Sequence, residues 1–583
     1  MVSAGSGGNR RAQAVRVGPP PFWSAGQGSR LFVAGLLAVV GLFLGSGCAT
    51  SLRQWAAQGF RVGPDYCPPG AELSASWRDH EQAGLLSEGP ENPEWWTVFN
   101  DPVLNQLVAT ARRENLPLRV AALRVLEARA QLGVARGSWF PQEQLLQGAY
   151  KRTQMSENGY PFSKFAGLPG FKLDYDDWVF GAQLAWELDF WGRFRRMIES
   201  AEANLESEQW ACRAALVLLQ AETASTYLQL RTTDERLALA RKNAELQRET
   251  LRIAKARFDN GNVSAVDVYQ AEAMLANTEA AIPLLETLRR VSENRLCTLL
   301  GAPPQDLGPM LAGADRIPEV PPEIVVGIPA DLLRRRPDVL QAERRAAAQC
   351  ARIGVAEAEF YPHIAITGQL GYQAENFSSL FDARSFTGVL APGFRWNLLN
   401  YGRIRNSVLM EDARFRQAVL GYRETVLRAS EEVEGAITAF LKEKVRVRQL
   451  SLATEATNKA FEVALAQYKE DVIDFQRVID SQRALLQQQD ALAEARGKVA
   501  MHLVTIYKAL GGGWQPAMIA AGAVAEVPEM LPGEPLPDGA LLAEPAPDGM
   551  EIVPPGTRGP TILPGDVPRE PAPPPPPEPP GAP

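Results

Sequence analysis

In the stretch Val179-Phe180-Gly181-Ala182-Gln183-Leu184-Ala185-Trp186-Glu187-Leu188-Asp189-Phe190, every even position is apolar: Phe180, Ala182, Leu184, Trp186, Leu188 and Phe190. Gln183, Glu187 and Asp189 stand at odd ones. Alternation of period two marks a strand with one apolar and one wetted face. The parity returns later in the chain, where Phe386, Leu390, Phe394, Trp396 and Leu398 oppose Thr387, Arg395 and Asn397. A partner strand with Ile364, Ile366, Leu370 and Tyr372 against His363, Thr367 and Gln369 agrees, whereas the earlier partner, residues 142–151, alternates poorly. Each half of the chain therefore holds a hairpin, with tips near 156–176 and 374–384. An edge hairpin of a soluble sheet has the same alternation. Here the flanking segments are long helices with nothing to cover a sheet face, and the strands approach the ~10 residues that span an outer membrane.

Outward from the strands, Trp191 and Tyr401 are followed by Arg193 and Arg403. Aromatic rings and then cations are what a membrane interface favours. The helix dipole disfavours an arginine at a helix start, yet one occurs twice. Residues 197–257 and 407–467 contain no proline and little glycine, and are rich in Ala, Leu, Glu, Gln and Arg. About 60 residues at 1.5 Å each give a helix of ~90 Å. Their apolar stripes are narrow, as in coiled coils, so they pack side by side around something else.

One internal repeat organises these parts. Adding 210 carries Trp186 to Trp396, Gly192 to Gly402, Arg193 to Arg403, Arg195 to Arg405, Glu222 to Glu432, Phe258 to Tyr468, Val268 to Val478 and Gly301 to Gly511. Upstream the offset is 221, pairing Val134 with Val355, Phe140 with Tyr361 and Pro141 with Pro362. The change of offset falls between Pro141 and Trp186. Residues 301–337 are Pro-rich, as expected of a connector between the halves.

At the N-terminus Arg10, Arg11, Arg16 and Arg30 precede an apolar run over 31–44, then Gly45, Ser46, Gly47 and Cys48. That order reads as a signal peptide, and the run is shorter than the ~20 residues a spanning helix needs. A cysteine after small residues resembles a bacterial lipobox, with Gly45 where leucine is usual; Cys48 is the expected acylation site, palmitate included, the alternative being ordinary cleavage nearby. The 583 residues carry 60 basic and 68 acidic side chains, a net charge of −8 that argues against a nucleic-acid coat. Five cysteines without C-x-x-C spacing and three scattered histidines argue against a disulfide framework, a zinc site and an H-E-x-x-H site. No phosphate loop or nucleophile elbow occurs, so neither an enzyme nor a cofactor is expected.

Further stretches carry a resemblance. They are Val62-Gly63-Pro64-Asp65-Tyr66 with Pro68-Pro69, Trp95-Trp96 with Phe99 and Asp101-Pro102, and Gly327-Ile328-Pro329-Ala330-Asp331-Leu332-Leu333-Arg334-Arg335-Arg336-Pro337-Asp338. Gly354-Val355-Ala356 with Phe360-Tyr361-Pro362, and Ala509-Leu510-Gly511-Gly512-Gly513-Trp514, complete the set. Together they resemble the outer-membrane factor family, the TolC-like channels of tripartite efflux pumps, in its NodT-type lipoprotein branch. The resemblance implies a mainly α chain with a membrane β-barrel: duplicated long-helix hairpins forming an α-barrel in the periplasm, and four strands per chain in a trimeric twelve-stranded barrel. It implies passive conduction of small molecules or ions, an inner-membrane transporter of the RND type, a periplasmic adaptor, outer-membrane lipid around the barrel and no nucleic acid. The expected organisation is signal peptide 1–47, lipid-anchored segment 48–95, repeats 96–316 and 317–513, and a Pro-rich tail 514–583.

The resemblance also implies that the helix turns 258–267 and 468–477 close the conduit. Asp267 and Tyr468 match residues that pair across neighbouring hairpins, and Asp480 matches an acidic constriction. Asp471 replaces a turn glycine, Ile473 stands where a gate arginine can occur, and Arg477 takes a place that can be acidic. A plainer reading gives Ser264 and Asp267 a capping box and Tyr468 a packing role. The tail, with its run at 573–577, reads as extended or disordered; it is either an inert solvated segment or a spacer or proline-module ligand. The competing functions are a one-step protein-secretion channel and a lipid-anchored periplasmic coiled-coil scaffold, which would need no lipid-facing strands.

Overall fold

The computed structural model describes residues 50–514, apart from 71–72, 80–84, 87–92, 161–163, 165–171, 314–315, 322, 328, 332–334 and 471. The expected signal peptide, Cys48, Asp471 and the Pro-rich tail beyond 514 lie outside the described residues.

The repeat recurs element by element. Helices α3 (Leu116–Gly137) and α7 (Pro337–Ala358) have 22 residues each. Strands β2 (Glu143–Gln154) and β5 (His363–Ala374) have 12 each. They pair with β3 (Asp174–Leu188) and β6 (Phe386–Arg395). Helices α4 (Arg193–Asp259) and α8 (Arg403–Lys469) have 67 residues each, and α5 (Ala265–Leu299) and α9 (Phe475–Ala509) have 35 each. Even single hydrogen bonds repeat: the Trp186 indole donates to the Trp139 carbonyl at 3.2 Å, and the Trp396 indole to the Phe360 carbonyl at 2.9 Å.

The long helices begin at Arg193 and Arg403, one turn before the expected 197 and 407. In both turns a glycine with left-handed backbone, Gly192 (φ 81°) and Gly402 (φ 82°), swings the chain from strand to helix. Only glycine adopts that region at little cost. Asp174 and Asp176, expected in the first hairpin tip, belong to strand β3, where cross-strand bonds from Arg152 and Tyr150 hold them at 3.1 and 2.9 Å.

The four strands form one antiparallel sheet in the order β2-β3-β5-β6. Residues opposite each other share a face. The register therefore places Leu188, Trp186, Leu184, Ala182 and Phe180 in line with Ile364, Ile366, Gly368, Leu370 and Tyr372, and these with Phe394, Pro392, Leu390, Gly388 and Phe386. Gln183, Glu187, Thr367, Gln369, Thr387 and Arg395 take the other face. On β2 the apolar face receives Gln144, Leu146, Gly148 and Tyr150. The Phe180 ring covers Gly148, with Cδ2 3.5 Å from where a Cβ would stand, which explains why this strand alternates poorly in sequence.

The main core lies where the shorter elements pack on the upper helices, and includes Trp95, Leu104, Tyr227, Leu228, Leu296, Phe440 and Leu503. Around it sit α2 (Pro102–Glu114), the single-turn α6 (Gly308–Leu311) and the two-residue parallel strands β1 (Leu85–Leu86) and β4 (Ile324–Val325). Asp101 caps α2 by accepting from the Val103 and Leu104 amides, and accepts the Tyr227 hydroxyl at 2.6 Å. Arg336 is held by Asp338, Glu432 and the Ala509 carbonyl. A second core, with Met274, Phe461, Tyr468, Phe475 and Ile479, closes the far ends of the two helical hairpins.

Candidate functional site

Three regions carry the residues singled out in the sequence. The first is the N-terminal segment. It runs through α1 (Leu52–Ala57) and lies on α7, where Gly63 approaches Gly354 so closely that a Cβ on Gly63 would fall 2.4 Å from the Gly354 Cα. Arg196, fully buried, donates to the Val62 and Gly63 carbonyls at 2.9 and 3.0 Å and pairs with Asp65 and Glu199 at 2.9 and 2.8 Å. Thr50, two residues after Cys48, is tied by its amide and hydroxyl to Glu357, by its hydroxyl to the Gly63 amide, and by its carbonyl to the Tyr361 hydroxyl. The chain is thus clamped to the strand-to-helix level immediately after the expected acylation site.

The second region comprises the two strand-to-helix turns, which differ. Trp191 stacks on Tyr361 with centroids 4.5 Å apart, donates to the Pro362 carbonyl at 2.9 Å, and meets Trp55. Arg193 pairs with Glu187 at 3.0 Å and Glu359 at 3.6 Å, and His363 lies between the same two carboxylates at 2.9 and 3.4 Å. Tyr401, by contrast, is 95% exposed, and Arg403 is exposed with no carboxylate at ion-pair distance among the described residues. The sequence marks Glu187 and His363 only as polar residues of their strands, and does not mark Glu359. The parity that sets Glu187 on the wetted face is the signal that points to them.

The third region is the pair of helix turns. Ser264 caps α5 by accepting from the Val266 amide at 3.2 Å, and this single bond stands in place of the expected two-way capping box. Tyr468 is buried between the Arg257 guanidinium, 4.4 Å from its ring centroid, and Phe475, 5.1 Å away. Arg257 also donates to the Tyr468 carbonyl, which ties the first hairpin to the second. The Tyr468 hydroxyl is buried without a hydrogen-bond partner among the described residues. Burial, followed by the Asp474 charge, raises the Asp267 carboxyl above its ordinary value, and Arg257 opposes the shift. Burial raises Tyr468 as well, with Arg257 opposing and Asp267 adding. The structure therefore brings Asp267, Tyr468, Arg257 and Asp474 within electrostatic reach of one another, and Arg257 and Asp474 are the members that the sequence did not reveal. Asp480 is exposed one turn further on and accepts from Gln476 at 3.0 Å and Arg483 at 3.4 Å. Arg477 and Asp480 line an open surface groove with Lys459, Val463, Gln467 and Ile473.

Among the described residues no helix is long and apolar enough to cross a membrane, which says nothing of a β-barrel. None of the three regions assembles a nucleophile and base. The described residues form long helices joined to a sheet whose Phe180, Leu184, Leu188, Leu390 and Phe394 share a face.

Comparison with known proteins gives the same picture. Nodulation protein T of Rhizobium leguminosarum bv. trifolii is 31% identical over 465 residues, covering 78% of this chain and 95% of that protein. The pyoverdine export outer membrane protein OpmQ of Pseudomonas putida is 30% identical over 455 residues, covering 77% of this chain and 94% of that one. Among solved structures, the outer-membrane channel OprN superposes with a TM-score of 0.73 at 32% identity, covering 78% of this chain and all of its own. The sequence profile described as "Outer membrane efflux protein" matches residues 107–302 and 328–512, one block in each repeat. With both repeats matched and the strand and helix order shared, the chain belongs to the outer membrane efflux protein family.

Proposed function

We propose that three copies of this chain close a barrel of twelve strands and, below it, a hollow cylinder of long helices, which together conduct solutes passively out of the periplasm. As a member of its family the chain is an outer-membrane channel of a tripartite efflux system. The observation that carries the reading is the sheet itself. Its outer strands, β2 and β6, are both open edges, and Phe180, Leu184, Leu188, Ile364, Leu390 and Phe394 share one face. Four strands cannot close a barrel, since the smallest bacterial ones have eight, and an open edge has no place in lipid.

In this reading the polar face with Gln183, Thr367, Gln369 and Thr387 lines the lumen. Cys48 carries the lipid anchor, and the Thr50 clamp sets it on the side of Trp191 and Arg193, which with Tyr401 and Arg403 are the interface residues. At the far end Arg257, Asp267 and Tyr468 hold the two hairpin tips of a chain together, with Asp267 as acceptor for the buried Tyr468 hydroxyl in the closed state. Asp480 and Arg477 set the charge of the mouth. Energy comes from an inner-membrane transporter of the RND type through a periplasmic adaptor, and the cargo is small molecules or ions.

The test is the purified mature protein. A trimer that inserts into planar bilayers and conducts supports the reading, and a non-conducting monomer overturns it. Mass spectrometry reads the anchor separately: an acylated Cys48 at the mature N-terminus supports it, and retention of residues 1–47 overturns it.

A further inference from the structure

We propose that the tip of the second hairpin, residues 375–385, folds outward and lies in the outer leaflet of the membrane, at the boundary between acyl chains and headgroups, and so leaves the external mouth of the pore uncovered. The proposal rests on the reading of the Leu184 face of the sheet as the lipid face. Three ring contacts fix the side on which the tip lies. Phe377 meets Trp178 edge to face with centroids 5.1 Å apart, and Phe381 meets Phe180 at 5.7 Å and Tyr372 at 5.8 Å. Phe180 and Tyr372 are register partners, and Trp178 stands two residues from Phe180 along β3, so all three share the face of Leu184. The tip therefore folds back over that face and away from the face of Gln183 and Gln369. Leu380 is buried, whereas Phe377 and Phe381 are 60 and 59% exposed. One apolar side chain anchors the tip, and two rings are left bare on it.

The tip also closes its own backbone. The Ser379, Leu380, Asp382 and Ser385 amides donate to the Asn376, Phe377, Ser379 and Asp382 carbonyls at 3.1, 3.2, 3.1 and 2.9 Å. The Ser379 and Ser385 hydroxyls donate to the Asn376 and Ser379 carbonyls at 3.0 and 2.7 Å. A segment in water needs no such closure. Beside lipid an unpaired amide or carbonyl is costly, so irregular backbone persists there only where its polar groups find partners within the protein.

Depth agrees with that surrounding. Leu188, at the helix end of β3, and Trp178, under the tip, are ten residues apart along the strand. At ~3.3 Å per residue and a tilt of ~40° this rises about 25 Å, the height of the apolar band of an outer-membrane barrel, whose two edges are ringed by aromatic residues. Asp382 and Arg384 in the tip are exposed, which holds it at the headgroup boundary and out of the hydrocarbon.

A neighbouring protomer does not cover these rings. The strand order β2-β3-β5-β6 makes β2 and β6 the edges at which another chain joins. The rings that hold the tip stand on β3 and β5, each flanked on both sides by strands of its own chain. The bare rings of Phe377 and Phe381 thus continue the lipid face, and lipid is the partner that assembly leaves them.

The experiment attaches a nitroxide to Phe377→Cys or Phe381→Cys, each in a Cys67→Ser, Cys212→Ser background, and reads its collisions in trimers reconstituted into dioleoylphosphatidylcholine vesicles. Either replacement leaves the other ring's contacts in place. Oxygen, which concentrates among acyl chains, should strike the label several-fold more often than a water-soluble nickel chelate at both positions. At Gln369→Cys, on the luminal face, the order should reverse. An excess of nickel collisions at both tip positions puts the tip in water and overturns the proposal. Conductance gives an independent reading: a bulky thiol reagent on Phe381→Cys should leave single-channel current unchanged, and on Gln369→Cys should reduce it. A block from position 381 puts the tip over the pore and likewise overturns the proposal. Trimers that fail to form, or a Gln369→Cys label that favours oxygen, overturn the lipid-face reading instead, and both are read before the tip is judged.

Discussion

The guanidinium of Arg257, on the first helical hairpin, covers the ring of Tyr468 on the second at 4.4 Å and donates to the Tyr468 carbonyl. This contact fastens the two tips of one chain in the small core that also holds Phe461 and Phe475. A cation over an aromatic ring and a charged hydrogen bond together contribute on the order of 2 kcal/mol. Arg257→Ala should therefore let the tips part and raise single-channel conductance in planar bilayers. Asp267→Ala combined with Tyr468→Phe should act in the same direction and admit large antibiotics to cells. Unchanged conductance in both would leave these residues a packing role alone.

The Asp267 carboxyl is raised above its ordinary value by burial and by Asp474. Its charged form is therefore disfavoured when the tips are together. For a raised acid, the closed state binds the proton more tightly, so its stability grows as pH falls from the raised value towards the ordinary one, and is lost as pH rises through that window. Conductance should accordingly fall as pH is lowered towards the ordinary carboxylate range. Asp267→Asn keeps an acceptor oxygen and removes the charge, so it should hold the low-pH conductance across the range. If the Asp267→Asn channel kept the pH dependence of the parent, another group would be the one that titrates.

Period and offset carried most of the fold. Strand parity around Leu184, the 210-residue offset and the long proline-free runs are local or repeated signals, and the elements follow them. The strand at 143–154 was obscured because Gly148 leaves its place on the apolar face to the Phe180 ring, a cross-strand substitution that no single strand records. The site was less legible. Asp267 and Tyr468 could be marked by their places in the turns, but Arg257 acts across hairpins, and its counterpart Gln467 gives no hint of that. Likewise Arg193 and Arg403 look equivalent along the chain, and only their carboxylate neighbours separate them.

Arg196 is fully buried and serves two backbone carbonyls and two carboxylates, so it is the pin that keeps the N-terminal segment on α7. Removing its guanidinium leaves the buried Val62 and Gly63 carbonyls without a donor, a cost of about 1 to 3 kcal/mol each, while the partly exposed Asp65 and Glu199 rehydrate. Arg196→Ala should release the segment, seen as rapid protease cleavage near 59–66 while the helical core resists. Asn406→Ala, at the counterpart position, should leave the cleavage pattern unchanged. Equal resistance of the Arg196 variant would mean that the Thr50 clamp suffices by itself.

The register places Leu184 on the apolar face between Gln144 and Gly368, and Gln183 on the opposite face beside Gln369. In a bilayer the first must meet lipid if the second meets water. An arginine on the lipid face near mid-membrane costs ~2 to 4 kcal/mol, and one in the lumen meets solvent. Leu184→Arg should therefore lower the yield of assembled trimer in outer membranes and its resistance to heating in detergent. Gln183→Arg should assemble normally and shift ion selectivity towards anions, since it adds one positive charge per protomer to the lumen. Opposite behaviour of the pair would invert the sheet, with the apolar face turned inward, and equal behaviour would remove the sheet from the membrane.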